Sequence, residues 1–123
     1  MKTILIIEDD EELTNLLRKI LRKKGFQAEA VTSVARLPEE VRRLKPDLVL
    51  LDLSLPDTGG EAIFGGLRAD PVTTGVPIIV MSGDPDVERR ARELGANGCL
   101  RKPFKVEALL ASAEQLAGTD RAA

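Results

Sequence analysis

Short aliphatic runs alternate along this chain with stretches in which apolar residues recur every three or four positions. The clearest runs are Ile4-Leu5-Ile6-Ile7, Leu48-Val49-Leu50-Leu51 and Ile78-Ile79-Val80-Met81. Continuous aliphatic runs of this length predict strands buried on both faces, and their alternation with helical segments predicts βα units around a parallel sheet. The first helical stripe is Leu13, Leu16, Leu17, Ile20 and Leu21, with Asp10 as N-cap, Glu11 and Glu12 in the first turn and Gly25 as the stop. A weaker strand is predicted from Gln27 to Val31. In the next helical segment Pro38 either sits near the first turn of a late-starting helix or kinks one begun at Ser33; Val41 and Leu44 face inward and Lys45-Pro46 ends the element.

The later units follow the same rhythm. Leu55-Pro56-Asp57-Thr58-Gly59-Gly60 reads as a loop, and the helix after it, around Glu61 to Arg68, contains Gly65-Gly66. Each interior glycine costs a helix about 1 kcal/mol relative to alanine, so this helix is expected to be the least stable and mobile. Pro77 to Met81 predicts the fourth strand. Val87, Ala91 and Leu94 mark a helix stopped by Gly95, Gly98 to Leu100 forms a short fifth strand, and Val106, Leu109, Leu110, Ala113 and Leu116 mark the last helix. Residues 1–118 thus form one α/β domain of five βα units, with a frayed tail at 119–123.

Composition narrows the function classes. The 123 residues are 43% hydrophobic and 31% charged, which describes one globular domain. Phe26, Phe64 and Phe104 are the sole aromatics, too few for a base-stacking platform, and a net charge of −2 leaves no global footprint for nucleic acid. The basic run from Arg18-Lys19 to Arg22-Lys23-Lys24 reads as a solvated helix face with cations at its C-terminal end, or as a docking surface for an acidic partner. A single cysteine, Cys99, rules out an internal disulfide. The four aliphatic residues before Glu8 are too few for a signal peptide or a membrane span, so a cytoplasmic location without membrane association is expected.

The chemistry lies where the runs end. Glu8-Asp9-Asp10 follows the first strand, Asp52 ends the third, Ser82 and Gly83 follow the fourth, and Lys102-Pro103 follows the fifth. The C-terminal edge of a parallel sheet is where ligands bind. Asp10 is a helix cap, but capping alone does not call for three acids. Glu8, Asp9 and Asp52 together form one hemisphere of oxygen ligands for Mg²⁺, one of the adjacent acids binding directly and the other through water. Asp52, beside such a cation, is a candidate nucleophile toward phosphorus; its bland alternative is a strand-ending Asp bonded to loop amides. Ser82 alone reads as a capping hydroxyl and Lys102 alone as a solvated lysine. As a set, hydroxyl and ammonium would bond two oxygens of a phosphoryl group on Asp52.

In order and spacing, Glu8-Asp9, Asp52 within Leu-Leu-Asp-Leu-Ser-Leu-Pro, Ser82-Gly83 and Lys102-Pro103-Phe104 make the chain resemble the receiver domain of two-component response regulators, from Lys2 to about Leu116. The resemblance implies a three-layer flavodoxin-like (βα)5 fold with sheet order 2-1-3-4-5 and a cis Lys102–Pro103 bond. It implies Mg²⁺-dependent transfer of a phosphoryl group to Asp52 from a sensor histidine kinase or a histidine phosphotransfer protein. Such a domain is a phosphoacceptor that assists its own phosphorylation and slow dephosphorylation, and is not an enzyme in the ordinary sense. Catalytic roles fall to Asp52, Ser82 and Lys102 and metal binding to Glu8, Asp9, Asp52 and the Ser54 carbonyl, while Ser54, Gly83 and Asp84 tune phosphate lifetime. Signalling through the fourth helix, fifth strand and fifth helix, homodimerisation on phosphorylation and no direct contact with nucleic acid are further implications.

The pattern departs from the family at Cys99, which stands where an aromatic switch residue on the fifth strand is usual. Sulfur cannot fill the space of an inward ring, so a receiver-like interaction module that works without phosphorylation is the alternative. Cys99 itself reads as a small buried hydrophobe in preference to a redox switch. An aspartyl phosphatase would carry a second Asp two residues after the nucleophile, and Ser54 stands there.

Overall fold

The computed structural model describes residues 1–55 and 59–118. It contains five strands, β1 (Thr3–Ile7), β2 (Gln27–Val31), β3 (Leu48–Asp52), β4 (Ile78–Ser82) and β5 (Gly98–Arg101). The helices are α1 (Glu11–Lys23), α2 (Leu37–Leu44), α3 (Gly60–Ala69), α4 (Val87–Leu94) and α5 (Val106–Ala117), with a 3₁₀ turn at Val34–Arg36. All strand pairs are parallel and the order is β2-β1-β3-β4-β5. This is the doubly wound, flavodoxin-like α/β architecture expected from the alternation of runs and stripes. The tail at 119–123 and Pro56 to Thr58 of the predicted loop lie outside the described residues.

Successive strand residues face opposite ways, so each run serves two cores. Ile4, Ile6, Leu48, Leu50, Ile79 and Met81 pack with Leu17, Leu21, Leu109 and Ala113 under α1 and α5. Leu5, Ile7, Val49, Leu51, Ile78 and Val80 pack with Val41, Ile63, Phe64, Val87 and Ala91 under α2, α3 and α4. Burial on both faces is why these runs carry no polar alternation.

Local chemistry explains the element ends. The Asp10 carboxylate accepts hydrogen bonds from the amides of Glu12 (3.0 Å) and Leu13 (3.2 Å), capping α1. Pro38 sits in the first turn of α2, where its missing N–H costs nothing, so the helix starts late and no kink forms. Gly95 ends α4 in the left-handed conformation. The α1 stripe needs one correction. The buried residues are Thr14, Leu17 and Leu21, whereas Leu16 is 53% exposed. Leu16 falls beyond the edge of the face that meets the sheet, while Thr14 lies near its centre, so apolar identity alone misplaces both.

Candidate functional site

Parallel register brings the chemistry to one edge. Ile7 pairs with Leu51 and Asp52 with Met81, so Glu8 follows one strand beside Asp52, and Ser82 lies one position beyond Asp52 on the other side. Ser82 in turn pairs with Arg101, directly before Lys102. The Lys102 amide donates to the Ser82 carbonyl (2.8 Å), extending the β4–β5 ladder into the site, and the Lys102–Pro103 bond is cis.

Glu8, Asp52 and Ser82 are buried at 1%, 2% and 0% exposure, and Asp9 is exposed. One carboxylate oxygen each from Glu8, Asp9 and Asp52 lies within 4.8 Å of the others. The Lys102 ammonium reaches into this group, 2.5 Å from Glu8 Oε1 and 3.6 Å from Asp52 Oδ2. Glu8 Oε2 accepts from the Asp9 amide (3.0 Å), and Asp52 Oδ1 accepts from the Ser54 amide (2.9 Å). Asp52 therefore bonds a loop amide through one oxygen while the other faces the cation and the remaining acids.

Burial pushes the Glu8 carboxyl up to about 7, reinforced by its hydrogen bond with Asp52 and only partly offset by Lys102. For Lys102 burial acts to lower the pKa, but its hydrogen bond to Glu8 and the charges of Glu8 and Asp52 outweigh it, and the ammonium is held above the usual lysine range. This is the electrostatic signature of carboxylates crowded together with one internal cation. Hard oxygen donors at this spacing, one of them pushed toward its protonated form by burial and by the neighbouring Asp52, fit a small divalent ion.

The remaining predicted residues sit around this centre. Ser82 Oγ accepts from the Asp84 amide (3.0 Å) and lies 3.5 Å from Ser54 Oγ. Nothing lies within 4 Å of a Cβ built on Gly83, so this flank is open. The Asp84 carboxylate is engaged on the α4 side, with Oδ1 accepting from the Asp86 amide (2.9 Å) and Oδ2 3.5 Å from Arg90. Cys99, read as a small buried hydrophobe, is half-buried and packs against the α4-side core. Burial raises its thiol pKa, which disfavours the reactive thiolate and the redox reading. Sequence reasoning missed Arg90 and Glu61, whose guanidinium and carboxylate meet at 2.5 Å across the rim between α4 and α3. Helical spacing within one element carries no signal for a pair 29 residues apart.

The family model described as the response regulator receiver domain matches residues 4–114. The chain belongs to this family. The DNA-binding response regulator MtrA of Mycobacterium tuberculosis H37Rv is 38% identical over 110 residues, covering 88% of this chain and 47% of the relative. The sensory transduction protein RegX3 of Mycobacterium bovis is 37% identical over 113 residues, covering 90% and 48%. The receiver domain thus spans about half the length of these relatives. Among solved structures, a putative response regulator from Chloroflexus aurantiacus superposes with TM-score 0.86 at 27% identity, over 94% of this chain and 97% of that one. The receiver domain of a sensor histidine kinase from Pseudomonas aeruginosa PAO1, which has a magnesium ion coordinated in its active-site cleft, superposes with TM-score 0.84 at 26% identity, over 96% and 98%. No helix among the described residues is long and apolar enough to cross a membrane.

Proposed function

We propose that this receiver domain accepts a phosphoryl group on Asp52 from the phosphohistidine of a sensor histidine kinase or a histidine phosphotransfer protein. The observation that carries this reading is the position of Asp52, buried within reach of Glu8, Asp9 and Lys102 at once. Mg²⁺ is the cation the acidic cluster fits, and when bound it neutralises the carboxylates and the phosphoryl oxygens near them. Asp9, Asp52 and the Ser54 carbonyl would hold the ion. Glu8, whose two oxygens already have partners at Lys102 and the Asp9 amide, would support it with its charge.

An Asp52 oxygen forms a bond to phosphorus as the bond from phosphorus to the donor imidazole breaks. The imidazole keeps the electron pair and takes up a proton. The Ser54 amide orients the carboxylate through Oδ1, leaving Oδ2 toward the cations. Lys102 and the Ser82 hydroxyl bond the transferred oxygens, which supplies positioning and charge neutralisation for a loose transition state. Water reverses the state by displacing Asp52 from phosphorus, and Ser54, Gly83 and Asp84 border its approach.

The signal leaves through α4, β5 and α5 in the cytoplasm, with Ser82 moving toward the phosphoryl group. Cys99 offers no ring for that movement to draw inward, so the shift is carried by backbone and α4. The complete set of groups at Asp52 favours this reading over a module that works without phosphorylation. Incubation with Mg²⁺ and acetyl phosphate or beryllium fluoride tests it. An adduct on the unmodified protein that disappears in Asp52→Ala is expected; no adduct, or an undiminished one in the variant, overturns the proposal.

A further inference from the structure

A guanidinium on α4 bridges α3 and the loop after β4. Arg90, half-buried on α4, lies 2.5 Å from Glu61 in the first turn of α3 and 3.5 Å from Asp84 in the loop after β4. Its two partners belong to the two sides of the site. Glu61 follows Gly60, whose position is pressed so closely on the end of β3 that an added Cβ would stand 2.4 Å from Leu53 Cα. The Asp84 amide donates to the buried Ser82 hydroxyl at 3.0 Å, so the Asp84 backbone borders the site itself.

The Asp84 carboxylate, however, serves α4. It accepts from the Asp86 amide and faces Arg90, and it is not part of the Glu8, Asp9 and Asp52 cluster. We infer that Arg90 is a positioning residue that sets the lifetime of the phosphorylated state by holding the Asp84 carboxylate away from Asp52. This rests on the phosphoacceptor reading above. Nothing lies within 4 Å of a Cβ built on Gly83, so this flank is open. With Arg90 removed, only the Asp86 amide still holds the Asp84 carboxylate, and turned toward the flank it would meet the water that the proposed function brings past Ser54, Gly83 and Asp84. There it accepts the proton of the water as the water oxygen bonds to phosphorus and the bond from phosphorus to Asp52 breaks. The products are inorganic phosphate, carrying the water oxygen, and the free Asp52 carboxylate.

Glu61 and Asp84 compete for one cation, and this makes the inference directional. Arg90→Ala frees Asp84 and shortens the lifetime. Glu61→Gln weakens the shorter of the two contacts and leaves the guanidinium to Asp84, so it does not shorten it. A partly exposed ion pair is worth up to about 1 kcal/mol, which corresponds to an effect of roughly two- to fivefold.

The test loads the protein with acetyl phosphate and Mg²⁺, removes the donor, and follows decay of the adduct by intact-protein mass spectrometry. Arg90→Ala is expected to decay about two- to fivefold faster than the unmodified protein, Arg90→Lys to recover part of the difference, and Glu61→Gln to decay no faster. In an Asp84→Asn background the Arg90→Ala effect is expected to vanish, which a general loosening of the rim would not produce. Unchanged decay in Arg90→Ala, an effect that persists with Asp84→Asn, or acceleration by Glu61→Gln equal to that of Arg90→Ala overturns the inference. Should Arg90→Ala not fold, Arg90→Lys and Glu61→Gln decide by the same directions. Absence of any adduct on the unmodified protein instead overturns the phosphoacceptor reading, and this inference with it.

Discussion

The Lys102 ammonium is hydrogen-bonded to the Glu8 carboxylate at 2.5 Å, joining residues 94 apart in sequence at the edge of the sheet. Asp52 stands 3.6 Å from the same ammonium, so one lysine serves two buried acids. That sharing leaves the acids short of positive charge and gives the site its appetite for a cation.

Its first consequence is a dependence on pH. The folded-state pKa of Glu8 is raised to about 7, so the folded protein binds this proton more tightly than the unfolded chain does. The resulting stability is fully present below the ordinary carboxylate pKa and is lost as pH rises through about 7. Without metal, the melting temperature is expected to fall between about pH 5 and pH 8, and Glu8→Gln to flatten that fall. Mg²⁺ competes with the same proton. Its stabilising shift is therefore expected to be larger at about pH 8 than at about pH 5.5, as scanning calorimetry with and without the ion would show.

Lys102→Met separates the two uses of the lysine. Removing the ammonium frees Glu8 and takes a positive charge from the cation site, so Mg²⁺ affinity is expected to rise. Acceptance of the phosphoryl group is expected to slow by about a hundredfold, the usual cost of losing one donor to transition-state charge. Calorimetric titration and single-turnover phosphorylation measure the two effects. A parallel loss of both would contradict the division of roles.

The glycines of α3 are not equivalent. Gly60 meets the β3 backbone, where a Cβ would fall 2.4 Å from Leu53 Cα and 3.0 Å from the Asp52 carbonyl oxygen. Gly60→Ala is expected to destabilise by about 1–3 kcal/mol, because neither backbone atom can yield without moving Asp52. Gly65 and Gly66 have nothing within 4 Å of a built Cβ, and Gly65 is exposed in the helix interior. Gly65→Ala is expected to stabilise by about 0.5–1 kcal/mol. Urea denaturation of both variants compares them, and hydrogen exchange along α3 would report whether this helix opens most readily.

Much of the fold was legible because each βα unit announces itself locally. Four residues of unbroken aliphatic character need cover on both faces, and only a sheet between two helical layers provides it. Asp10, Pro38 and Gly95 mark helix ends through backbone chemistry that acts within one turn. The site was legible for a related reason: acids, a hydroxyl and a lysine each follow directly on a buried strand, and a parallel sheet places such positions along one edge. Leu16 was misread, and the burial of Thr14 missed, because burial depends on which face of α1 meets the sheet, and side-chain polarity reports that only indirectly.

Residue order by itself determined the strands, most helix boundaries and the candidate groups at Glu8, Asp9, Asp52, Ser82 and Lys102, since these follow from propensity and position at element ends. Tertiary structure alone decided how the groups share their contacts: that Lys102 bonds Glu8 more closely than Asp52, that Asp84 turns toward α4, and that Arg90 spans two helices to reach Glu61. The reason is physical. Charge and hydrogen bonding act over a few ångströms of space, and only the folded chain brings distant positions within that range.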